Sequence, residues 1–175
     1  LGMDFAGEVA ALGAGITEFA VGDRVFGSAP RGAHAEYLVV RAAGPVLRTP
    51  PGLSDEDAAA LPFGGNSALA FVRDIAVVRP GQRVLIIGAS GGVGSFAVQH
   101  ARRLGAEVTA VVSAGNMEFV RGLGAARALD YARGPYLEDG AGYDVVLDTL
   151  GVTTFATARR ALAPTGRYVP VTARV

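Results

Sequence analysis

The eleven residues Val84-Leu85-Ile86-Ile87-Gly88-Ala89-Ser90-Gly91-Gly92-Val93-Gly94 constrain this chain more than any other segment. An unbroken apolar run leads into a glycine-rich turn, and an amphipathic stretch from Val93 to Leu104 follows. That is a buried strand feeding a turn that opens a helix. The spacing Ala89-x-Gly91-x-x-Gly94 fits the fingerprint of a turn that holds the pyrophosphate of a dinucleotide. The phosphates must come within hydrogen-bond range of backbone N–H groups at Ser90 to Val93, and a side chain at Gly91 or Gly92 would stand in the way. Gly94 lets the helix pack closely on the sheet. The helix N-terminus adds about half a positive charge facing the phosphates. A glycine-rich turn without a ligand is the other reading. It is disfavoured because strand, helix and the next strand, Glu107–Val112, are all present.

The rest of the chain reads in two styles, divided near Pro80-Gly81. Before it lie short apolar runs broken by Gly, Pro and Asp: strands at Phe5–Ala10, Val25–Gly27 and Ala35–Val40. Ser54 caps a helix through Ala60, and a second helix covers Ser67–Ile75. After it, strands and helices alternate: Arg83–Ile87, helix Val93–Leu104, Glu107–Val112, helix Asn116–Leu123, Ala126–Leu129, Asp144–Leu147, helix Thr153–Leu162 and Arg167–Val171. Apolar strands between amphipathic helices imply an α/β fold with a doubly wound parallel sheet. The expected division is residues 1–53 as part of a β-barrel, 54–80 as connecting helices and 81–175 as the dinucleotide-binding domain.

Composition narrows the function. The 175 residues carry 16 basic and 16 acidic side chains, so no basic excess invites nucleic acid. No apolar run reaches the roughly 18 residues a membrane span needs, and a cytoplasmic protein without a membrane partner is expected. Cysteine is absent, which excludes disulfides and thiolate metal sites.

The end of the second Rossmann-type strand selects the cofactor. NAD enzymes place Asp or Glu there to hold the ribose 2′-hydroxyl. Here the run is Val111-Val112-Ser113-Ala114-Gly115-Asn116. No carboxylate repels a 2′-phosphate, and Ser113 and Asn116 can donate hydrogen bonds to one. NADPH is therefore expected over NADH. Asn116 can also cap the following helix.

These residues resemble the medium-chain dehydrogenase/reductase family, in its zinc-independent, quinone-oxidoreductase-like branch. The likeness extends over Leu1-Gly2-Met3-Asp4-Phe5-Ala6-Gly7-Glu8-Val9, Gly22–Gly27, Ala58-Ala59-Ala60-Leu61-Pro62 and the Ala89–Gly94 turn. It implies a GroES-like β-barrel paired with a Rossmann domain, with the active site in the cleft between them. Met3 and Phe63 stand where zinc-dependent members carry His and Cys ligands, so no metal is expected. Ser67 matches a threonine near the nicotinamide, although Asn66 replaces an apolar neighbour. Tyr131 matches a tyrosine that contacts the 2′-phosphate, and Asp148-Thr149-Leu150-Gly151 matches a turn along the cofactor. Gly115 stands where an arginine is common. The cofactor set implied is Ser67, Ser90, Gly91, Gly92, Val93, Gly94, Ser113, Asn116, Tyr131, Thr149 and Leu150.

No nucleophile with a matching base is visible, and no catalytic residue is assigned. That suits hydride transfer, in which the cofactor carries the chemistry. His34, His100 and the group Asp55, Glu56, Asp57 read as structural or surface residues. The expected activity is reduction of a quinone, enone or related carbonyl substrate. The alternatives are an enoyl reductase unit of a multi-module synthase and a non-catalytic dinucleotide-binding protein. Relative to the family pattern the chain looks like the middle part of an enzyme whose full-length form is a homodimer, and alone it is expected to be unstable and inactive.

Overall fold

A computed structural model describes residues 1–172. Close contacts divide them into two units, Leu1–Phe63 and Gly64 onward.

The first unit contains an antiparallel sheet in the order β1-β2-β3, formed by β1 (Asp4–Glu8), β2 (Arg24–Ser28) and β3 (Val46–Arg48). Gly27 is required where β2 meets the Pro45 carbonyl, because a Cβ would collide with that oxygen. Helix α1 (Asp55–Leu69) begins in this unit. The Ser54 hydroxyl caps it by accepting from the Asp57 N–H at 3.1 Å.

The expected strand Ala35–Val40 does not form. Its run of apolar and β-favouring residues is real, but among the described residues no strand lies beside it, and a strand without a ladder is only an extended loop. Tyr37 and Val39 are exposed. The strand β3, by contrast, was not expected.

Two helices were expected between Ser54 and Ile75, and there is one continuous rod. Helix α1 passes through Pro62 and runs into a π-helix, Ala70–Ile75. The Ala76 N–H reaches back five residues to the Phe71 carbonyl at 2.8 Å. Val77 follows with φ +50°, a left-handed conformation that is rare for a β-branched residue.

The second unit holds a parallel sheet in the order β6-β5-β4-β7-β8. Its strands are β4 (Arg83–Ile87), β5 (Glu107–Val112), β6 (Arg127–Asp130), β7 (Tyr143–Asp148) and β8 (Leu162–Pro170). Helices α2 (Gly92–Arg103), α3 (Met117–Gly122) and α4 (Phe155–Ala158) lie in the crossovers. Alternation along the strands feeds two cores. Val84 and Ile86 pack with Ala97, Val98, Val108 and Val120 on one face. Leu85 and Ile87 pack with Val111, Val146, Ala158 and Ala161 on the other. Each buried Val, Leu or Ile among them contributes about 1.5–3 kcal/mol.

The expected helix Thr153–Leu162 shrinks to α4. Tertiary pairing overrides local propensity there: the Ala161 carbonyl accepts from the Tyr143 N–H at 2.9 Å, and Leu162 already sits opposite Tyr143. The chain moves outward from β4 to β5 and β6, then returns to place β7 on the other side of β4. That reversal between β4 and β7 is the switch point where open α/β sheets bind ligands.

Candidate functional site

The glycine-rich turn leaves the C-terminal end of β4 at this switch point. Gly88 has φ +76°, and a Cβ there would stand 2.6 Å from both Leu150 Cγ and Thr149 Oγ1. Its N–H and that of Ala89 donate to the Val111 carbonyl at 3.1 and 3.2 Å, which ties the turn to the end of β5. A Cβ on Gly94 would collide with the Gly88 carbonyl, so the helix seats on the turn only with glycine there. Gly91 and Gly92 differ from these two. A Cβ on Gly91 would meet nothing closer than the Gly88 carbonyl at 3.4 Å, and one on Gly92 would meet nothing within 4 Å. The space over Gly92 is open, and a side chain would fill it. The N–H groups of Gly92, Val93 and Gly94 open α2 and have no carbonyl one turn back within the helix. Open space over orphan donors is what an anionic ligand at a helix N-terminus requires.

Apart from Ser67, the remaining expected residues follow the C-terminal ends of β5, β6 and β7. The Asn116 amide donates to Ser90 Oγ at 3.1 Å and to Ser113 Oγ at 3.2 Å, joining the turn to the end of β5. Asn116 makes no side-chain capping bond to α3. Tyr131 follows β6, its N–H bound to the Val112 carbonyl at 3.1 Å, with its side chain exposed. Thr149 lies on the opposite side of the turn, where Oγ1 donates to the Ile87 carbonyl at 2.8 Å. Leu150, next to it, is exposed.

Ser67 lies half-buried on α1. Its helix is held against the turn by Gly64, whose Cβ would lie 2.8 Å from the Gly92 carbonyl. Sequence reasoning missed this contact. A glycine pair inside a helix costs about 1 kcal/mol per residue relative to alanine, and that cost was the available signal of a close approach.

Asp148 was expected only as part of the turn along the cofactor, yet it is fully buried at the end of β7. Oδ1 accepts from the N–H groups of Leu150 and Gly151 at 3.0 and 2.9 Å, and Oδ2 from Thr153 at 2.9 Å. The Tyr168 hydroxyl lies 3.4 Å from Oδ2 and donates to the Thr153 carbonyl at 2.9 Å. Burial, and then the Asp148 charge, push the Tyr168 and Tyr136 hydroxyls above the usual tyrosine range.

Residues set aside from chemistry lie elsewhere. His34 is exposed in the first unit, its N–H bound to the Leu1 carbonyl. His100 stands in the last turn of α2. Asp55, Glu56 and Asp57 fill the first turn of α1, and Asp55 pairs with Arg24. Asp4 accepts from Ser28 Oγ at 2.7 Å and from the Phe63 N–H at 3.0 Å, so both its oxygens are engaged. Among the described residues, no cluster of three His, Cys, Asp or Glu could hold a metal ion. No helix there is long and apolar enough to cross a membrane. A cavity of about 470 Å³ opens beside Arg83, Arg127, Tyr136 and Tyr143, and no expected cofactor residue lines it.

Comparison with known proteins bears on the family and the fold. Residues 1–51 match the alcohol dehydrogenase GroES-like domain, and residues 92–173 match the domain described as zinc-binding dehydrogenase. The chain belongs to the medium-chain dehydrogenase/reductase family. It is 37% identical to a quinone oxidoreductase of Pseudomonas aeruginosa, over 97% of this chain and 54% of that protein. It is 40% identical to the pikromycin polyketide synthase component PikAII of Streptomyces venezuelae, over 97% of this chain and 5% of that protein. An alcohol dehydrogenase superfamily protein from Novosphingobium aromaticivorans superimposes with a TM-score of 0.88 at 38% identity, covering 97% of this chain and 54% of that one. The chain thus spans about half of the single-enzyme relative (54%) and a small part of the synthase (5%). It is an oxidoreductase-family protein of the quinone-oxidoreductase-like kind, with a GroES-like unit followed by a Rossmann-type parallel sheet.

Proposed function

We propose that this protein binds NADP(H) and reduces a quinone, enone or related conjugated carbonyl without zinc. The observation that carries the cofactor choice is the Asn116 bridge between Ser90 and Ser113 at the end of β5. The bridge sets two hydroxyls and an amide where a carboxylate would favour NADH. The open backbone over Gly92 fits the pyrophosphate. When bound, the nicotinamide supplies a hydride. The chain's own part is to bind and orient: Ser90 to Gly94 hold the phosphates, Ser113, Asn116 and Tyr131 take the 2′-phosphate end, and Ser67, Thr149 and Leu150 flank the nicotinamide end. Likeness to a quinone oxidoreductase supports the substrate class.

The residues present do not fit zinc. Phe63 offers no donor atom, and the thioether of Met3 is a poor zinc ligand. Likeness to part of a polyketide synthase favours a second reading, an enoyl reductase unit acting on an enoyl thioester. NADPH and NADH titrations, followed by turnover of a free quinone against an enoyl thioester, separate the two. Tighter NADH binding would defeat the cofactor choice. Near-equimolar zinc surviving dialysis would defeat the metal-free reading.

A further inference from the structure

Asp148 is a fully buried carboxylate that spends its acceptor capacity on the loop following β7. Burying a charge is costly unless hydrogen bonds compensate it. Here the compensation comes from the backbone N–H groups of Leu150, Gly151 and Thr153, so loop shape and charge burial depend on each other. Tyr168 closes the arrangement from β8 by donating to the Thr153 carbonyl. The loop so held presents two groups to the phosphate-binding turn. Thr149 Oγ1 and Leu150 Cγ crowd the position a Cβ would take on Gly88, and the rest of the Leu150 side chain stands exposed beside it.

We propose that Asp148 is a positioning residue, which pre-sets Thr149 and Leu150 as one wall of the dinucleotide site before any cofactor arrives. The role rests on the dinucleotide reading above. Asp148 touches no cofactor in it. It acts through the backbone of residues 150 to 153, and the affinity it supplies is the ordering that binding no longer has to provide.

Amide hydrogen exchange on the full chain tests this without any substitution. The Leu150 and Gly151 N–H groups are expected to be protected in the free protein as strongly as with NADPH present. Protection that arises only with NADPH overturns the proposal. Two variants give an independent measurement. Asp148→Leu removes every acceptor while keeping the branched shape, and should weaken NADPH binding about tenfold or more while the amides of β4 and β5 stay protected. Asp148→Asn keeps one acceptor oxygen for Leu150 and Gly151 but turns an NH2 donor toward the Thr153 N–H, and should weaken binding measurably while retaining more affinity than Asp148→Leu. A folded Asp148→Leu that binds NADPH as tightly as the unmodified protein overturns the role. If Asp148→Leu does not fold, Asp148→Asn and the exchange comparison decide. Failure of the unmodified protein to bind either dinucleotide overturns the functional reading itself, and this role with it.

Discussion

The Asn116 amide donates to Ser90 Oγ at 3.1 Å, which ties the phosphate-binding turn to the end of β5 across 26 positions of sequence. Ser113 shares the same amide at 3.2 Å. A carboxylate at position 113 would keep an acceptor for Asn116 while facing the 2′-phosphate end of the site. Ser113→Asp should therefore move preference from NADPH toward NADH by at least about tenfold, the worth of one charge-assisted hydrogen bond. Paired titrations with the two reduced cofactors measure it. An unchanged affinity ratio would mean that the phosphate pocket lies elsewhere.

Gly92→Val should abolish dinucleotide binding and leave the fold intact. A Cβ at this position meets no protein atom within 4 Å, so the branched side chain projects into the space the pyrophosphate needs. Unfolding by urea should shift by less than about 1 kcal/mol, because the helix propensities of Gly and Val differ by only a few tenths of that. Normal NADPH affinity in the variant would return the turn to a purely structural role.

Gly64→Ala should be destabilising. The added methyl would lie 2.8 Å from the Gly92 carbonyl, and a backbone atom cannot step aside cheaply. Overpacking of this kind costs about 1–3 kcal/mol. Because the atom displaced belongs to the turn, NADPH affinity should fall as well. The check is a urea midpoint together with a cofactor titration, and a loss in neither contradicts the contact.

Val77→Gly should be stabilising. A β-branched residue at φ +50° carries strain that glycine lacks. That strain is about 1–3 kcal/mol, and glycine gives back about 0.5–1 kcal/mol through the entropy of the unfolded chain. A net gain of about 1 kcal/mol is expected as a higher urea midpoint at unchanged slope. A lower midpoint would show that the Val77 side chain contributes more by packing than its backbone costs.

Alkaline stability should depend on Tyr168. Its folded-state pKa is raised, by burial first and by Asp148 second. The protonated hydroxyl therefore stabilises the fold fully below the unfolded pKa of about 10, and that contribution is lost as pH rises through the folded value. Tyr168→Phe should cost about 1 kcal/mol at neutral pH through the lost bond to Thr153. It should also flatten the decline of stability above pH 10 or so, leaving the share due to Tyr136. An alkaline limb identical to that of the unmodified protein would contradict the burial of this hydroxyl.

The Rossmann-type half was legible from periodicity, because parallel strands buried on both faces are apolar throughout and the helices between them are not. Arg83–Ile87 and Glu107–Val112 were read to the residue. The N-terminal half was less legible. Ala35–Val40 has a strand's composition, yet a strand exists only with a neighbour to pair with. A break was expected between the helix ending at Ala60 and the one beginning at Ser67. In the fold the helix continues through Pro62, and Gly64 is the point at which it meets the turn.

The sequence by itself determined the turn, its glycines and the absence of a carboxylate after β5, since each depends on residue type at fixed local spacing. Only the tertiary structure decided which distant groups share the site. Asn116 meets Ser90 and the Asp148 loop meets Gly88 because the sheet places the ends of β5, β4 and β7 side by side, and Gly64 meets Gly92 because α1 packs against the start of α2. Strand order is set by which surfaces pack together once the chain collapses. No local spacing encodes it.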